Sequence, residues 1–465
     1  MSISQVANAP HFTSSDMPTT SGFPLIGCLP WLIFDRVGFF DRARKTYGDL
    51  YRLDFGFGDF VVLGHARHAQ HVMVDHADIY TREGGSFWNA LRQVFGKGLV
   101  TTDGPFWMRQ RRMMQPHFTR RKLGEFADAM VTCIDESIAS WPTRVDAQGR
   151  LSLLPALSDL TARVGARTMF GDAAPPDMVE KLLPAITSLV KFVLEQMALE
   201  SLPRFIPRPG RARVERMNAV IDEAVYRIIG EARRAKGSRE SLLGKLINSV
   251  DDTTQQRMDD RQLRDEVASL FLASFETTSI ALTWTFEVLA RHPEIQSRLL
   301  TEIDAVLGSR LPTYADIPRL KYTRMVFEEA MRLYPPVWQL SRVAQRDDVI
   351  DGHAIKAGTT VVILIQAIQR HADYWPDPEA FDPERFREDR AAARPKLAHM
   401  PFGAGGHFCI GRELALIEAP LAIAQALQRY RVEPGSKRPA KPEYFATMRP
   451  KRDAFVKLVA RERVE

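Results

Sequence analysis

"PFGAGGHFCIGRELALIEA", residues Pro401 to Ala419, sets four glycines around one cysteine and runs straight into an apolar, helix-like pattern. Glycine carries no Cβ, so positions 403, 405, 406 and 411 let the backbone approach a flat group closely. The backbone N–H groups after Cys409 lie at the start of the next helix, where they can donate to sulfur and stabilise negative charge on it. These are the requirements of a thiolate ligand. A lone cysteine is nevertheless more often a small buried hydrophobe. A zinc site is disfavoured, because no second cysteine stands at ligand spacing and His407 alone cannot complete a tetrahedron. A dinucleotide fingerprint fails as well, since Phe408 occupies the place of the third glycine and no strand signal precedes the loop.

Composition bounds the remaining choices. The chain has 465 residues, 45% hydrophobic and 26% charged, which is ordinary for a globular protein large enough to enclose a ligand. A net charge of +6 argues against a nucleic-acid binder and leaves room for a basic face that meets an acidic partner. Cys28, Cys133 and Cys409 are too few for a disulfide framework and suit a reducing, cytoplasmic setting. "FPLIGCLPWLIF", Phe23 to Phe34, is apolar but short, holds two prolines and lacks the basic flank of a signal peptide. We therefore expect no membrane span. The expected organisation is a loose tail over residues 1–22 and one domain over 23–465.

Periodicity predicts two short strands from Asp49 to Gly64 around a glycine turn. It also predicts a single helix of roughly 30 residues from Arg261 to Arg291, stopped at His292-Pro293. The middle of that helix is apolar except for "ASFETTS", Ala273 to Ser279, and a buried polar knot must be hydrogen-bonded or functional. A second helix, Thr323 to Tyr334, stops at Pro335-Pro336, and "TVVILIQA" reads as a strand. The fold class is mainly α with a minor β part.

Phe402, Gly405, Cys409 and Gly411 match F-x-x-G-x-x-x-C-x-G in full, and on this the chain resembles the cytochrome P450 family. The resemblance implies a triangular-prism fold with the long helix crossing over a haem b cofactor. It makes Cys409 the axial ligand of the haem iron, with Phe402 in the same loop and His407 near a haem propionate. Trp107 and Arg111, spaced W-x-x-x-R, and Arg342 would approach the propionates too. Guanidinium forks suit such carboxylates.

"EAMRLYPP" places Glu329 and Arg332 three apart on one helix face, and "FDPERF" adds Arg385. Together they resemble the family's structural Glu-Arg-Arg triad. Another E-x-x-R, Glu231 and Arg234, reads as a solvated surface pair. "ASFETTS" resembles the family's oxygen-activating element, with Thr277 beside the reacting oxygen and Glu276 relaying protons. Read without the cysteine loop, its threonines would merely bond back to carbonyls four residues earlier. Ser274 stands where the family usually has glycine.

By family position the substrate pocket draws on Phe87, Trp88 and Leu91, then Leu270 and Ala273, then Val337, Trp338 and Leu340. Phe445, Thr447 and Met448 supply a last wall. Apolar residues of this kind favour a fatty acid, terpene or steroid-like substrate. The resemblance implies a monooxygenase that takes O2 and two electrons from a separate ferredoxin or flavodoxin and its reductase, and acts as a monomer. Arg109, Arg112, Arg120, Arg121 and Lys122 are the expected receiving face. Two other readings remain open at this stage: a peroxide-dependent or isomerising haem-thiolate enzyme, and a non-catalytic haem-bound sensor.

Overall fold

The long helix runs from Asp260 to Leu289, and nearly every side chain from Leu263 onward is buried. Asp259 starts it by accepting a hydrogen bond from the Gln262 amide, and Pro293 opens the next helix, Pro293–Leu307. In a computed structural model, which describes residues 17–23, 26–54, 59–171, 184, 211–234 and 241–461, this helix is the axis of the molecule. Among the described residues it is the one helix long and apolar enough to cross a membrane, and it is core, packed inside the protein. Against it lie the helices Leu153–Phe170, Lys321–Leu333 and Arg412–Arg429. With Ala127–Ala139 they form the largest hydrophobic cluster.

The β part is small and lies to one side. Five strands form a sheet in the order Leu50–Leu53, Phe60–Leu63, Thr360–Ile363, Leu340–Ala344, Tyr80–Thr81. Only the pairing of Phe60–Leu63 with Thr360–Ile363 is parallel. The turn expected between the first two strands, residues 55–58, lies outside the described residues. A second sheet joins Arg150–Ser152, Phe455–Ala460 and Tyr430–Pro434. "TVVILIQA" divides: the strand stops at Ile363, and Ile365–Ile368 turns into one helical turn.

One boundary and one side-chain pair differ from expectation. Residues 1–16 of the expected tail lie outside the described residues, but Met17 and Thr20 are buried, and Thr19 bridges to Arg52. Glu231 pairs with Arg227, one turn earlier on the same exposed face, at 4.0 Å rather than with Arg234.

The second E-x-x-R is of a different kind. Glu329 and Arg332 are fully buried, with a two-pronged contact of 2.6 and 2.8 Å. Arg385 approaches the same carboxylate at 3.4 Å. Arg332 also donates to the carbonyls of Gln369, Pro378 and Ala380. Gln369 then accepts from the Met400 amide, so the network reaches the residue just ahead of the cysteine loop.

Glu418 lies buried on the helix that follows that loop, and its Oε1 has no hydrogen-bond partner among the described residues. Burial pushes its carboxyl up to about 8. Between the ordinary carboxylate value and that point, the folded chain holds a proton that the unfolded chain has lost. Stability therefore falls as pH rises through the window. Glu418→Gln is expected to remove this slope, about 1.4 kcal/mol per pH unit. Denaturant unfolding at the bottom and the top of the window checks it.

Candidate active site

Pro401–Gly411 folds into a tight loop closed by the Cys409 amide donating to the Phe402 carbonyl at 2.9 Å. Gly403 and Gly405 have φ of +73° and +65°, a region that glycine reaches without strain. Gly405 is needed for a further reason: a Cβ there would lie 1.9 Å from the Met73 carbonyl oxygen. The glycine thus admits a neighbouring turn of the protein, a role that the sequence alone did not indicate.

Protein surrounds Cys409 on most sides, but its side chain is exposed because it opens onto a cavity of about 390 Å³. Burial pushes its thiol up; the amides of Gly411 and Arg412 and the cation of Arg111 pull the other way. Arg111 also donates to the Phe408 carbonyl at 3.0 Å. Trp107 packs against His407 with the rings tilted by 46° and their centroids 4.0 Å apart. The expected residues Cys409, Phe402, His407, Trp107, Arg111 and Arg342 all border this cavity.

Sequence reasoning missed Arg82 and Asp103. Neither belongs to a motif, and Arg82 lies far from the loop in the chain. Arg82 is buried and places Nη1 2.8 Å from His407 Nδ1, while Asp103 takes His407 Nε2 at 2.8 Å. Arg342 is buried nearby, and both guanidiniums lie over the Trp88 ring, at 4.7 and 5.7 Å. Burial, with Arg342 adding to it, lowers Arg82 to about 9; burial lowers Arg342 to about 10. Arg82 Nε is buried and has no hydrogen-bond partner among the described residues. Two buried cations with one carboxylate between them leave positive charge to be matched, which suits an anionic group such as a haem propionate. The cavity, the sulfur with its amide donors and these arginines fit haem b bound at Cys409.

Above the sulfur, "ASFETTS" lies on the long helix and faces the cavity. Thr277 donates to the Ala273 carbonyl at 2.8 Å, the four-back bond expected of a helical threonine. Its oxygen can still accept on the cavity side. Glu276 accepts from Thr447 at 3.1 Å, and burial raises its carboxyl against the opposing effects of Thr447 and Arg449. Ser274 donates to the Phe271 carbonyl, and a Cβ on Gly165 would lie 2.9 Å from its hydroxyl. A glycine on the neighbouring helix thus makes room for serine here.

Phe87, Trp88, Leu91, Leu270, Ala273, Val337, Leu340 and Thr447 line the cavity as expected. Trp338, Phe445 and Met448 do not. Trp338 faces away, donates to the Phe445 carbonyl and stacks on Tyr444 at 4.6 Å. Met448 is fully buried in the same cluster, and its carbonyl accepts from Trp284. The Phe445 ring lies under Arg449. Residues 337–339 precede the strand Leu340–Ala344, and residues 445–447 form the bend between Pro442–Tyr444 and Met448–Pro450, so the local turn and not a regular alternation sets which side chains face the cavity.

Residues 17–458 match the family model described as Cytochrome P450. Pentalenene oxygenase of Streptomyces avermitilis is 32% identical over 94% of this chain and 96% of its own length. Cyclooctatin synthase of Streptomyces melanosporofaciens is 33% identical over 89% and 90%. The crystal structure of the cytochrome P450DA heme domain superposes with a TM-score of 0.84 at 26% identity, covering 96% of this chain and 97% of the other. The cysteine loop, the triad and these matches agree: the chain belongs to the cytochrome P450 family.

Proposed function

We propose that this cytochrome P450 inserts one oxygen atom from O2 into a neutral, terpene-like hydrocarbon. Family membership itself makes the chain a monooxygenase-type oxidoreductase with haem b as cofactor, needing O2, a redox partner and a hydrophobic substrate. The observation that carries the narrower reading is the distribution of charge in the cavity. Arg82, Arg111 and Arg342 all gather about His407 and Phe408 at the cysteine-loop end. Elsewhere the described lining is largely apolar, with Phe87, Leu91, Leu270 and Val337 among it. No described lining cation stands apart to anchor a fatty-acid carboxylate. Relatives named for pentalenene and cyclooctat-9-en-7-ol point to the same substrate class.

Haem b, when bound, supplies oxygen activation; the chain supplies ligation, dryness and protons. Cys409 would hold the haem iron through its sulfur. Glu276, held protonated by burial to a higher pH than an ordinary carboxyl, is a proton donor kept in place by Thr447. Thr277 offers a hydroxyl through which a proton can pass to the reacting oxygen. Thr277→Ala is expected to keep haem and substrate binding but lower product per electron several-fold, the missing electrons appearing as hydrogen peroxide. Equal coupling in the variant would remove Thr277 from this role.

The donor proposed is a separate ferredoxin or flavodoxin with its reductase, serving a monomer in the cytoplasm. Of the expected receiving face, Arg109 and Arg112 are paired with Asp251, and Lys122 with Glu125. Arg120 and Arg121 are exposed and carry the proposal. The test of substrate class is a spectral titration of the haem-loaded chain with neutral terpenes and with fatty acids, followed by product mass analysis. Terpenes should shift the haem band and gain one oxygen atom. Turnover confined to fatty acids, or dependent on peroxide alone, would contradict the reading.

A further inference from the structure

His71 and His76 are joined by a π-helical turn, His71–Asp75, in which the His76 amide donates to the His71 carbonyl five residues back at 2.9 Å. Such turns are rare and tend to be kept where they serve a function. Here the wider turn brings the two imidazoles face to face, with centroids 4.1 Å apart and planes inclined by 26°. Opposite them, Asp348 begins the strand Asp348–Ile350 and holds Oδ2 2.7 Å from His71 Nε2. One ligand atom from each of the three lies within 4.8 Å of the others, and all three residues are half-buried.

We propose that His71, His76 and Asp348 bind one divalent transition-metal ion of the zinc type, with water as the fourth ligand. Two imidazoles and a carboxylate are borderline donors suited to such an ion. Bonds of about 2.0–2.1 Å put tetrahedral ligand atoms roughly 3.4 Å apart, so side-chain rotation suffices to close the site. The ion would replace the proton now shared between His71 and Asp348. The ligating oxygen is Asp348 Oδ2, the atom that already meets His71. Tyr80 donates to the same oxygen at 2.7 Å and orients it, as an outer partner does in a metal site.

A second group, His65, His371 and Asp373, has similar composition but is otherwise engaged. His65 accepts from the Arg67 amide and meets Tyr374 and Asp373, while His371 meets Asp49 and accepts from the Asp373 amide. Its ring nitrogens are committed to holding chain segments together. The His76 ring makes no hydrogen bond among the described residues. The proposed ion would clasp both ends of the turn whose Met73 carbonyl backs Gly405, behind the cysteine loop.

The test is calorimetric titration of the haem-loaded chain with Zn²⁺, checked by competition with a chromogenic chelator. One equivalent should bind, and His76→Gln, which leaves the His71–Asp348 contact in place, should weaken binding tenfold or more. Tyr80→Phe should weaken it roughly tenfold. His65→Gln should leave it unchanged. Zinc should also raise the thermal midpoint of the parent and not of His76→Gln. No uptake of zinc, or the same affinity in the parent and His76→Gln, overturns the proposal, as does loss of binding in His65→Gln.

Discussion

Cys409→Ala is expected to lose the thiolate-ligated haem signature entirely and, with it, all detectable substrate oxidation. His407, on the same loop, is not placed to take over from the sulfur: one ring nitrogen lies against Arg82 and the other against Asp103. The amides of Gly411 and Arg412, which draw the thiol toward its ionised form, would face a methyl group. The fold should survive, because the loop is closed by backbone hydrogen bonds and not by the sulfur. Circular dichroism, haem content and product formation measured on the same preparation separate these effects. Residual turnover at even a few per cent of the parent would remove Cys409 from the chemistry.

Arg332→Ala should cause the largest loss of stability of any single change discussed. It would leave the Glu329 carboxylate buried with only the longer contact to Arg385 and the Asp382 amide. It would also take the donors away from the Gln369, Pro378 and Ala380 carbonyls. Removing one partner of a buried pair costs about 3–5 kcal/mol. Arg227→Ala, which breaks the exposed contact to Glu231, should change stability by no more than about 1 kcal/mol. Denaturant midpoints of the two variants against the parent give the comparison. Similar midpoints for both would mean that the buried network does not hold the segment ahead of the cysteine loop.

The long helix was legible because its apolar run is long and a proline follows it, two signals that depend only on neighbouring residues. The cysteine loop was legible because four positions within ten residues must all be right. Both E-x-x-R pairs look alike in sequence, and only the surrounding prolines separated the buried one from the exposed one. Arg82 and Asp103 escaped notice for the opposite reason: their meaning comes from His407, more than three hundred positions along the chain. The same holds for Gly405, whose need for glycine is set by the Met73 carbonyl. Trp338, Phe445 and Met448 were misplaced because family position locates a wall segment without saying which of its side chains turns inward; here Trp338 and Met448 pack into the core beside Tyr444.

The central claim is that Cys409, as a thiolate, is the axial ligand of haem b in this chain. The most direct measurement is the absorption spectrum of the purified, haem-loaded protein after reduction under carbon monoxide. The account predicts the long-wavelength Soret band that only a thiolate opposite carbon monoxide produces. A band at the shorter wavelength of an imidazole-ligated haem, in freshly prepared and folded protein, would contradict it.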